Sequence, residues 1–106
     1  MKDMHAVRIT VQYRSRGAMC YELARGDAKV NLRISPDDSA AQDHQWQVQA
    51  RTSEAADAVI VAGRGATRTE ALRDVGRSWI SQEASLGLPT FAWEDVEHVL
   101  AVVRAL

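Results

Sequence analysis

Few residues in this 106-residue chain are of types that carry covalent chemistry, and their spacing matches none of the arrangements such chemistry needs. The one thiol is Cys20, the imidazoles are His5, His44 and His98, and the serines are scattered. No serine stands in a Gly-x-Ser-x-Gly elbow, the strained turn that exposes a nucleophile above a sheet. Cys20 falls in an alternating run two residues from Glu22, a negative neighbour that works against a nucleophilic thiolate. It reads as a small strand residue. His98 lies on the polar side of a C-terminal helical pattern. Asp37, Asp38, Asp43 and His44 share one segment where oxygen donors could gather around a hard cation, but their spacing is not that of an EF-hand. Acids beside a proline are ordinary loop composition. A single cysteine can neither close an internal disulfide nor supply a cysteine-rich zinc site. These residues predict no catalytic group, no cofactor and no resident metal.

Anion recognition is better represented. Gly63-Arg64-Gly65-Ala66-Thr67 leads from a strand pattern into a helix start, where free amides and the helix dipole favour negative charge. It lacks the lysine and spacing of a P-loop, and no parallel strand follows as a dinucleotide fold requires. The glycines are therefore expected to permit a tight strand-to-helix turn. Arg64 and Arg68 stand at that helix start, and Arg73 and Arg77 follow at i, i+4 on its exposed side. The four are the candidate contacts for an anion or a nucleic-acid backbone, and such binding would weaken steeply with salt. Glu70 and Asp74 share that surface and are expected to pair with Arg73 and Arg77 at helical spacing.

Three tryptophans stand among six aromatic residues. Trp46 and Trp79 read as core. Trp93, with Phe91 beside it and Val102 further along, is the candidate anchor for a protein partner, because exposed tryptophan is enriched at interface hot spots. Packing at the edge of the core is the competing and favoured reading of Trp93.

The elements that must position these residues follow from periodicity. Val7, Ile9, Val11 and Tyr13 alternate with polar residues, as do Met19, Tyr21 and Leu23, then Ala28, Val30, Leu32 and Ile34. Turns at Ser15-Arg16-Gly17 and Arg25-Gly26-Asp27 join them, so an antiparallel meander is the simplest topology. Residues 35–44 form a loop. Trp46, Val48 and Ala50 mark a fourth strand, and Ala58–Ala62 a fifth, apolar enough to be expected at the centre of the sheet. A capping box, Thr67-Arg68-Thr69-Glu70, opens a helix with Ala71, Leu72, Val75 and Trp79 on one face and Ile80 on its shoulder. Leu86-Gly87-Leu88-Pro89 ends it. Thr90 is expected to cap a last helix with acids at its start and Arg104 at its end, and Leu106 to dock the C-terminus. Gly76 offers a close approach between the two helices. The fold class is α+β: a four- to five-stranded antiparallel sheet with two C-terminal helices packed on one face, a single domain over residues 1–106. The other face should carry Arg8, Thr10, Gln12, Arg33, Gln47, Gln49 and Arg51.

From Trp46 to Trp79 the order strand, hairpin, strand, Gly-x-Gly and a helix opening Thr-Arg-Thr-Glu-Ala-Leu resembles the end of a double-stranded-RNA-binding domain. It is similar also to the hairpin-to-helix part of HicB-like antitoxins. The first resemblance implies phosphate contacts at the helix start. The RNA-binding family's paired lysines would fall near Arg68 and Thr69, so only Arg68 keeps a charge. That family's first helix is missing, and a helix foreign to it follows Gly87.

Thirteen basic residues against fourteen acidic ones exclude a strongly electrostatic protein. Eleven of the thirteen are arginine, a bias that GC-rich coding produces and that planar, two-pronged contacts would also select. The longest apolar run, Ala55–Ala62, is interrupted by Asp57, so no membrane span is expected; nor is a secretory leader, and the cytoplasm is the expected location. The function expected from the whole is a non-catalytic interaction module. It would pair with itself as a homodimer or act as an adaptor or regulatory subunit of another protein, and nucleic-acid binding through the arginines is the alternative.

Overall fold

The computed structural model describes residues 8–15, 17–37, 45–53, 57–104 and 106, with the backbone alone for 11–15. Five strands come first: β1 (Arg8–Ser15), β2 (Ala18–Arg25), β3 (Ala28–Pro36), β4 (Trp46–Arg51) and β5 (Ile60–Gly65). Two helices follow, α1 (Arg68–Leu86) and α2 (Trp93–Val102). The strands pair antiparallel in sequence order, β1-β2-β3-β4-β5, as short turns favour. The chain is thus an α+β fold with a meander sheet and a helical layer.

Alternation divides the sheet into two faces. Tyr21, Leu32, Ala50 and Val61 lie across from one another on four strands and are all buried. The next row on that face, Met19, Ile34, Val48 and Gly63, continues the core. Ala71, Leu72, Val75 and Trp79 of α1 close over it, and Val96 and Leu100 of α2 complete it. Burying each of these large side chains is worth about 1.5–3 kcal/mol.

Several boundaries depart from the periodicity. β5 stands at an edge of the sheet, not at its centre, because a meander leaves its last strand without a further neighbour. Only Val61 of its apolar run is buried, while Ile60 and Ala62 face out. Gly63 and Gly65 lie inside β5 rather than in the turn after it. A Cβ on Gly63 would sit 2.3 Å from the Val75 amide nitrogen, and one on Gly65 2.6 Å from that of Ala71. These two positions are seats for the α1 backbone. In β1 the register shifts between Val11 and Tyr13, a bulge that sets Tyr13 opposite Cys20 while Ile9 and Val11 oppose Leu23 and Tyr21. The pairing of Tyr13 therefore departs from the every-second-residue parity that Ile9 and Val11 keep.

The helix signals hold at α1. Thr67 caps it, its hydroxyl accepting from the Glu70 amide at 3.1 Å, and Gly87 ends it with φ 65°. At α2 they do not. Ala92, not Thr90, is the N-cap, with no side-chain hydrogen bond, and the Thr90 carbonyl accepts from Arg25 instead. Arg104 lies beyond the last helical turn with φ 62° and so cannot offset the dipole from within it. Ile80 is 59% exposed, clear of the core that the shoulder position implied, whereas Leu106 packs against it.

Candidate functional site

The four arginines singled out at α1 divide into two places. Arg64, Arg73 and Arg77 line one open groove with Gly65, Ala66 and Glu70. Arg68 points elsewhere, its guanidinium 5.1 Å from the centre of the Trp46 ring, a cation–π contact tying the helix start to β4. Within the groove each arginine has a carboxylate. Arg64 reaches Asp37 at 3.0 Å, and Arg77 reaches Asp74 at 3.5 Å, the pairing that helical spacing predicted. Arg73 takes a different acid from those expected. It holds Glu97 of α2 with two prongs, Nε to Oε1 at 2.6 Å and Nη2 to Oε2 at 3.1 Å. That hydrogen bond, with the opposing charge, holds Glu97 below its ordinary carboxylate value and Arg73 above its own. The groove is an intramolecular network of ion pairs joining β5, α1 and α2.

The same region closes one border of the sheet. The backbone N–H of Arg64 points away from β4 and donates to Asp74 Oδ2 at 3.0 Å. A side chain of α1 thereby occupies a hydrogen-bonding position that an incoming strand would use.

The partner anchor is corrected by burial. Phe91 and Trp93 are 3% and 7% exposed, in an aromatic cluster with Trp79. Trp79 donates to the Pro89 carbonyl at 2.9 Å, so the segment between the helices is pinned to the core. Gly76 faces Trp93, whose Cβ would lie 3.1 Å from an added methyl, which is the close helix approach expected of that glycine. The rings turned inward because α2 crosses α1 there; of the three anchor residues only Val102, 67% exposed, is at the surface.

Of the residues considered for a metal, Asp37 is occupied with Arg64, while Asp38, Asp43 and His44 lie outside the described residues, as does His5. Among the described residues no three His, Cys, Asp or Glu side chains gather. Cys20 is buried, and His98 is exposed on α2. Among the described residues no helix is long and apolar enough to cross a membrane.

The sheet face away from the helices carries Arg8, Thr10, Arg33, Gln47, Gln49 and Arg51 as expected, with further residues beside them. Paired rows place Thr10, Glu22, Asn31 and Arg51 together, then Cys20, Arg33, Gln49 and Ala62, then Ser35, Gln47 and Arg64. Arg8, Ala24 and Lys29 form a further row. Gln12 falls at the bulge, and its side chain lies outside the described residues. Lys29 and Asn31 were already in the alternation of the third strand and follow from its parity. Among the described strand residues of this face, five cations stand against the single carboxylate of Glu22. The helices carry the reverse: Glu70, Asp74, Glu83, Glu94, Asp95 and Glu97 against three arginines. Comparison with protein-family models, curated proteins and solved structures finds no match to this chain.

Proposed function

We propose that this domain is a non-catalytic interaction module that associates with a second copy of itself through β1. The observation that carries the reading is the inequality of the two sheet edges. β5 is shielded by α1 and capped at Arg64 by Asp74. β1 extends over eight residues, contains neither proline nor lysine, and has no strand beyond it among the described residues. Apart from the bulge between Val11 and Tyr13, an edge of that length is a template for pairing. Antiparallel pairing about a two-fold axis normal to the sheet would keep all helices on one side and give a continuous ten-stranded sheet. The pairing would be isologous, which suits a homodimer. A lone buried thiol fits a reducing compartment such as the cytoplasm.

Arg64, Arg68, Arg73 and Arg77 support a nucleic-acid role poorly, since three of the four are held by carboxylates and Arg68 by Trp46. Sedimentation equilibrium from micromolar to near-millimolar protein tests the reading. A monomer–dimer equilibrium is expected, and Thr10→Lys, which puts a lysine on the exposed edge, should shift it to monomer without lowering the melting temperature. A strictly monomeric wild type throughout that range would end the proposal.

A further inference from the structure

The open face of the sheet holds a line of cations on β1, β3 and β4, in which Arg51 donates its Nε–H to the Ser53 carbonyl at 3.4 Å. Arg33 lies opposite Gln49, and Arg51, two residues further along β4, lies opposite Asn31. Lys29 is two residues before Asn31 on β3. Each step is a diagonal neighbour on one face, about 7–8 Å apart. Arg8 extends the line across the row of Lys29 and Ala24. Arg33, Lys29 and Arg8 are exposed. Asn31, Gln47 and Gln49 lie between the cations, half-buried, and their amides make no hydrogen bond among the described residues.

We infer that this face binds single-stranded nucleic acid. The line of positive charge complements a linear run of phosphates, while the acids of the helical layer repel the same polymer from the opposite side. Orientation is therefore set by charge segregation within a nearly neutral chain. The interleaved amides each offer a donor and an acceptor, the groups that the exposed edges of unpaired bases require. A duplex hides those edges in its grooves, and this face presents no helix or ribbon that could enter one. The line lies within one chain and needs no second copy.

The test is a titration of labelled single-stranded RNA and DNA, the matching duplexes and polyglutamate against the full-length chain. With the three exposed cations Arg33, Lys29 and Arg8 as phosphate contacts, raising salt from about 50 to 200 mM should weaken single-strand binding roughly twentyfold. Arg33→Glu should cost about tenfold or more in affinity at the lower salt, and Arg77→Glu, on the helical layer, should leave it unchanged. Arg33→Gln with Lys29→Gln serves if the charge reversal disturbs folding. Absence of salt-dependent binding to single strands would overturn the inference. So would equal affinity for the duplexes or polyglutamate, or equal loss in Arg77→Glu and Arg33→Glu.

Discussion

The two sides of the sheet are built on opposite rules. At β5 the strand accepts the α1 backbone at close quarters, its glycines serve as seats, and its border is closed by Asp74. At β1 the strand is bulged, its far border meets no strand among the described residues, and Arg8 and Thr10 face outward. One side is specified by sterics that tolerate no added atom. The other is specified by a hydrogen-bond ladder with one partner. The difference teaches where a domain of this size can present a surface: the seam that anchors the helices cannot also be the place that receives a partner.

Gly63→Ala is the strongest way to break that comparison. The new methyl would meet the Val75 nitrogen and the Ala71 carbonyl oxygen, at 2.3 and 2.7 Å, and both are backbone atoms of a helix held along its length. No rotamer change relieves such a contact, so the seam must open. A loss of about 3 kcal/mol or more is expected in urea unfolding, at the upper end of what overpacking costs. A variant as stable as the wild type would show that α1 does not sit as closely on β5 as described.

How far the sequence is legible differs between these sides too, and the reason is range. Thr67 with Glu70, and Gly87 at the end of α1, act within a turn of chain, so their types alone announce the helix. The meander follows from short turns for the same reason. The acid that Arg73 chooses depends instead on how α2 crosses α1: Glu97 is 24 residues away, while Glu70 and Asp74 sit at suitable spacing on its own helix. Gly63 and Gly65 carried a local meaning, a turn, that their long-range role overrode. Phe91 and Trp93 were ambiguous because an aromatic at a helix start can face either way until the neighbouring helix is placed. The open sheet face, by contrast, needs only parity and register, and alternation alone places most of its residues.

Asp74→Ala probes the middle of the range by making the closed border resemble the open one. It removes the acceptor from the Arg64 amide and the partner from Arg77. Loss of a charged acceptor for a part-buried amide should cost about 1–2 kcal/mol. The second consequence sharpens the comparison further. With two receptive edges a chain can propagate where one edge closes as a dimer, so the variant should form species larger than a dimer in light scattering. If it stays at the wild-type association state, Asp74 is a stabilising contact only and the edge is protected by α1 itself.

The smallest effect tests the bond between the two helices, which has no counterpart at β1. Glu97 is held below its ordinary carboxylate value, first by the hydrogen bond from Arg73, so folding favours its charged form. Its contribution is complete above the ordinary carboxylate range, near 4.3, and disappears as the pH falls through the lower value it has in the folded chain. Arg73 stays charged throughout, its own value being raised. Other carboxylates titrate in the same window, so the informative quantity is the difference in melting temperature between wild type and Glu97→Gln. It should favour the wild type slightly at neutral pH, shrink with added salt because the pair is solvent-facing, and vanish at the acid end. A difference that persisted in acid would mean that Glu97 steadies the helices by packing its stem, and that the ion pair across α1 and α2 adds nothing to their union.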